Sequence, residues 1–116
     1  MSPFLRDKIV DVARRIVPRA TVINAHAIDS FAASLGYLDG DRLKIAAITR
    51  SLAKNHCFSD GNKRTAFVVL MMLCEMADIP ADYSRLGPKI LEIAANDYDV
   101  GTIAEMLFGD IPATGP

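Results

Sequence analysis

No apolar run in this sequence is long enough to cross a bilayer. The longest, Ala66 to Cys74, has nine residues and stops at Glu75, whereas a spanning helix needs about 20. Neither sign of charge is in excess. The 13 basic and 14 acidic side chains leave a net charge of −1, so no broad field draws the chain to DNA, RNA or anionic lipid. Cysteine is scarce, with only Cys57 and Cys74. The opening residues Met1-Ser2-Pro3-Phe4-Leu5-Arg6-Asp7 carry charge where a secretory leader needs an apolar stretch. Reduced thiols and a cytoplasmic location are therefore expected. Period-two alternation is missing, apart from a short extended segment at Ala20-Thr21-Val22-Ile23. There is no internal repeat and no low-complexity linker. What is present is a chain of 116 residues, 51% of them hydrophobic. That suffices for one folded domain with a core, and not for two.

Glycine and proline divide the chain into helical pieces. Ser2 can cap and Pro3 can open a first helix over roughly 3–17, with apolar residues from Leu5 to Val17 at three-to-four spacing and Pro18 beyond. A second is expected over roughly 25–35, with Gly36 past its end, then a turn-like stretch to Asp41. A third, over roughly 41–54, delivers the chain to His56. A fourth, from about Gly61 to Ala77, is apolar nearly all round, which argues for the centre of a bundle. Two shorter helices follow, over about 87–96 and 100–108, the latter with Asp99 as cap. The expectation is an all-α single compact bundle of about six helices over 1–108, with a flexible tail over 109–116.

The chemistry concentrates in His56-Cys57-Phe58-Ser59-Asp60-Gly61-Asn62-Lys63-Arg64, immediately before the fourth helix. A helix amino end offers free N–H groups and a positive dipole end, which together favour a phosphate. Lys63 and Arg64 on the first turn are unfavourable there, and bound phosphate oxygens would compensate them. The plain alternative is that both cations extend into solvent with Asp60 as partner. Gly61 allows close backbone approach to an anion, and the Asn62 amide can donate to a phosphate oxygen. Asp60 can help to hold Mg²⁺, which commonly takes one or two carboxylates with phosphates and water; it is also a good helix cap. His56, with a pKa near ~6.5, can accept a proton from a hydroxyl. An isolated histidine is more often a helix-end group, but the nonapeptide around it reverses that preference. Phe58, the loop's one aromatic, reads as a core anchor. Cys57 has no separate histidine and acid to activate it, so a nucleophilic cysteine is set aside.

The pattern His56-x-Phe58-x-Asp60-Gly61-Asn62-Lys63-Arg64 resembles the signature of the Fic/Doc family, and within it the Doc (death-on-curing) toxin branch. Fic enzymes usually have glycine in place of Lys63 and a second arginine in place of Phe67. Doc toxins have lysine and an apolar residue, as here. The resemblance is densest from Lys44 to Ala77. It implies transfer of a phosphoryl group from ATP, with Mg²⁺, to a Ser/Thr hydroxyl of a protein, by analogy elongation factor Tu. His56 would be the base, Asp60 the metal ligand, and Gly61, Asn62, Lys63 and Arg64 the phosphate-binding group. Two other readings stand beside it: AMP transfer of the Fic type, and a non-catalytic partner of an antitoxin. The family's inhibitory Ser/Thr-x-x-x-Glu spacing is absent, so an antitoxin of the prevent-host-death type is expected in trans. No direct nucleic-acid or membrane partner is expected. The family's flap, which docks the target, is shortened here, with only seven residues between Leu35 and Leu43.

Overall fold

The computed structural model describes residues 3–19, 21–22, 40–55 and 57–109. Among these it is all-helical, with five helices: α1 Pro3–Ile16, α2 Asp41–Lys54, α3 Asn62–Met76, α4 Tyr83–Ala95 and α5 Val100–Phe108. The helix expected over 25–35, most of the turn leading to Asp41, His56 and the tail beyond Gly109 lie outside the described residues.

Each helix buries an apolar stripe. From α1 come Ile9, Val12 and Ala13; from α3, Ala66, Val69, Leu70 and Cys74; from α4, Leu86, Ile90 and Ile93; from α5, Ile103, Leu107 and Phe108. Complete burial of a Leu, Ile or Phe is worth about 1.5–3 kcal/mol, so this shared core is the main stabilising element. The central position belongs to α2 more than to the apolar α3. An unbroken run, Ile45 to Thr49, is buried in α2, with Ser51, Leu52 and Ala53 after it, and α2 packs against α3, α4 and α5. In α3, by contrast, Val68 and Met76 are exposed. Apolarity all round a helix therefore did not translate into burial all round. Thr49 is accommodated in the core because its hydroxyl donates to the Ile45 carbonyl of its own helix at 2.8 Å.

The fifth helix expected from the sequence begins earlier than Gly87-Pro88 suggested. It starts at Tyr83, with Asp82 as its cap, and carries Pro88 inside it. The Asp82 side chain accepts from Ser84 N at 3.0 Å and from the Ser84 hydroxyl at 2.8 Å. That closure offsets the hydrogen bond that proline removes. At the far end, two guanidinium groups complete the carboxyl end of α5. Arg42 donates to Phe108 O at 3.1 Å and Arg85 to Leu107 O at 2.7 Å. Both serve carbonyls that a helix end leaves unpaired.

Candidate anion cleft at the start of α3

The loop between α2 and α3 is fixed by backbone pairing as well as by packing. Cys57 and Phe58 are buried, Phe58 at 2% exposure. Phe58 forms an isolated antiparallel bridge with Val22. One residue on, Ser59 N donates to Thr21 O at 2.9 Å, and Thr21 N donates to the Ser59 hydroxyl at 2.9 Å. The short extended segment legible around Thr21-Val22 thus serves to clamp this loop.

Asn62 ties the other side. Its amide oxygen accepts from Phe58 N at 3.0 Å, and its amide nitrogen donates to Phe58 O at 2.9 Å. The two bonds reproduce a strand-like pairing with a side chain. The structure thus gives the Asn62 amide a positioning task. Asp60 points one oxygen, Oδ1, at the following Gly61 N–H at 2.7 Å.

Gly61 is the N-cap residue of α3, in the left-handed region with φ 74° and ψ 18°. A Cβ here would lie 2.8 Å from Val17 Cγ2, at the end of α1. Backbone sign and close approach both require glycine at this position. No side chain caps α3 and no acidic residue lies in its first turn. The cap role that Asp60 could have taken therefore falls to Gly61. The first turn carries instead Lys63 and Arg64, both exposed. Among the described residues neither forms an ion pair with Asp60.

These residues surround a cleft of about 380 Å³, lined by Ser59 to Arg64 on one side and by Ala53, Lys54 and Ala94 on the other. Asp60, Gly61, Asn62, Lys63 and Arg64 are brought together as its lining. Lys54 lies two residues before His56, in the stretch that leads into the signature, but residue spacing assigns neither it nor Ser59 a binding role. Ala94 belongs to α4, and no local spacing connects it to the signature. His56 lies outside the described residues. Its chain neighbours are Asn55, the last turn's cap on α2, and the buried Cys57.

Beneath the first turn, Thr65 is fully buried, and its hydroxyl has no hydrogen-bond partner among the described residues. Burial pushes the Cys57 and Cys74 thiols up to about 11, so both stay protonated at neutral pH. A low-pKa nucleophile is thereby excluded at Cys57. Among the described residues no group of three or more His, Cys, Asp or Glu could hold a metal ion. A metal here would rest on Asp60 alone and on oxygens from a ligand and water, a donor set that suits Mg²⁺. No helix among the described residues is long and apolar enough to cross a membrane.

Among the described residues, then, an all-helical bundle opens a cationic cleft at an uncapped helix start. The model of the Fic/DOC family matches residues 8–74, more than half of the chain, and the chain belongs to that family. On the Doc side of it, the chain is 37% identical over 70 residues to Toxin Doc of Mycolicibacterium smegmatis (strain ATCC 700084 / mc(2)155), covering 57% of this chain and 54% of that protein. The chain thus spans about half the length of the curated relative it matches. No solved structure matches it.

Proposed function

We propose that this chain is a Doc-type toxin that transfers a phosphoryl group from ATP to a Ser/Thr hydroxyl of a protein. The observation that carries this reading is the assembly of Asp60 to Arg64, the second half of the Doc-like signature, around one cleft. There the uncapped start of α3, Lys63 and Arg64 face the same space as Asp60. Phosphoryl transfer asks a protein chiefly for positioning and charge neutralisation. The first-turn N–H groups of α3 and the two cations would hold the phosphates. Asp60 would hold Mg²⁺, which when bound neutralises charge on the phosphate oxygens. The Asn62–Phe58 pairing and the Ser59–Thr21 pairing would keep the loop in register with the bound chain. His56 would accept the proton of the target hydroxyl.

Phe67 favours this reading over AMP transfer. In place of a second phosphate-binding arginine, the chain has an aromatic ring packed on Tyr83, centroids 5.7 Å apart. It is committed to the α3–α4 contact. Elongation factor Tu is the proposed target, with arrest of translation as the consequence. An antitoxin of the prevent-host-death type, acting in trans, is the proposed partner.

Mass spectrometry of elongation factor Tu incubated with the chain, ATP and Mg²⁺ tests the reading. A phosphate-sized gain that His56→Ala abolishes is expected. An adenylyl-sized gain would instead mean AMP transfer. In cells, equal toxicity of the wild type and His56→Ala would point to a binding role without catalysis.

A further inference from the structure

One cation of the cleft comes from outside the signature. Lys54 ends α2, is half-buried, and lines the same space as Lys63 and Arg64. Its ammonium donates to the carbonyl of Asn96, the C-cap residue of α4. It is held where the carboxyl ends of two helices, α2 and α4, present partial negative charge. Such a site holds a lysine in place before any ligand arrives. One turn earlier Arg50 secures the same loop, with Nε on Tyr98 O at 2.7 Å and a terminal nitrogen on Asp97 at 3.1 Å. The wall from which Lys54 projects is thus anchored at two points. It is otherwise formed by small side chains, Ala53 and Ala94, which leave the space open.

The charge of the lining argues for an extended ligand. Lys54, Lys63 and Arg64 face one carboxylate, Asp60. A single phosphate would be satisfied by the adjacent Lys63 and Arg64 at the start of α3. A third cation on the wall formed by α2 and α4 suits a chain of phosphates that crosses the cleft. An ammonium has three donors, and the Asn96 carbonyl takes one.

We propose that Lys54 is a third polyphosphate-binding residue, contacting the phosphate chain of the nucleotide from the α2–α4 wall. This rests on the nucleotide reading above and adds to it a contact outside the signature. The competing role is purely structural, with Lys54 serving only to close the end of α4.

Calorimetry of the full chain with inorganic tripolyphosphate, and separately with ATP and Mg²⁺, distinguishes the two roles. Lys54→Met is expected to weaken tripolyphosphate binding roughly tenfold or more, the range of a lost charge-assisted contact. Lys54→Arg should retain most of the affinity, and both variants should unfold near the wild-type temperature. Wild-type affinity in Lys54→Met, beside a loss in Lys63→Met, would overturn the proposal and leave the nucleotide reading intact. No binding of either ligand by the wild type would remove the reading itself, and this proposal with it. Should Lys54→Met fail to fold, acetylation footprinting of the wild type decides. Saturating tripolyphosphate must slow acetylation of Lys54, and an unchanged rate overturns the proposal.

Discussion

The helices α4 and α5 begin in one way and α3 in another. Asp82 and Asp99 close the amino ends of α4 and α5, accepting from Ser84 N and Thr102 N. α3 starts on a left-handed glycine, has no side-chain cap, and places Lys63 and Arg64 on its positive end. The α2 helix also starts on a glycine without a side-chain cap, but it has Asp41 in its first turn. Of these, α3 alone combines an open end with cations and no acid. The capped ends serve stability. The start of α3 gives up that local stabilisation and keeps its N–H groups available to an external anion.

The sharpest way to break this contrast is to remove the cations. Lys63→Ala and Arg64→Ala should each lower the proposed phosphoryl transfer by about a hundredfold or more, the scale of losing a charge-stabilising contact. Their unfolding temperature should hold or rise, because a cation leaves the positive end of a helix. Parallel activity and melting measurements check this, and a fall in both would place the two residues in the fold instead.

Next in size is the glycine. Gly61→Ala should cost about 2 kcal/mol of stability, through its left-handed backbone and the contact with Val17. Chemical denaturation measures it. Val17→Ala in the same chain should recover the steric part and leave the backbone part, which a double-mutant cycle separates.

The capped ends supply the opposite behaviour. Asp82→Ala and Asp99→Ala should lower the unfolding midpoint by roughly a few degrees and leave tripolyphosphate affinity unchanged. The Ser84 hydroxyl and backbone hold the Asp82 carboxyl below its ordinary 3.8, and the Thr102 N–H does the same for Asp99. Their contribution is therefore complete above the ordinary value and is lost as pH falls through the lowered ones. Acid titration of stability should show that loss in the wild type and a smaller one in the variants.

The smallest effect concerns the thiols. With Cys57 and Cys74 raised from 9.0 to about 11, the folded chain keeps both protons between those two values while the unfolded chain releases them. Their contribution is complete below pH 9 and is lost as pH rises through about 11. Thiol reagents at neutral pH should label neither residue in the folded protein. Rapid labelling of Cys57 would mean that the signature loop opens.

Much of the fold was legible because apolar spacing and helix punctuation agree. α2 and α5 lie over the expected stretches, and α1 and α3 differ from expectation by a residue at the ends. The start of α4 lies four residues before the expected 87, because Asp82 caps the helix and it runs on through Gly87 and Pro88, two residues of poor helix propensity. Tertiary burial of Leu86, Ile90 and Ile93 offsets that propensity. In the cleft, the contiguous signature showed which residues were chemically distinctive. It could not show that the Asn62 amide turns back on Phe58, nor that Thr21 and Val22 pair with the loop. Those partners are remote in sequence, and nothing in residue spacing encodes them.

By itself, then, the order of amino acids determined the helical class, the family and the stretch in which the chemically distinctive residues are gathered. Those depend on contiguous residues and on a 3.6-residue period, both local properties. Only the folded chain decided that Gly61 must admit Val17, and that Lys54 from α2 shares a cleft with Lys63 and Arg64 from α3. Close approach and shared space are relations between distant segments, and packing three helices around one core is what creates them.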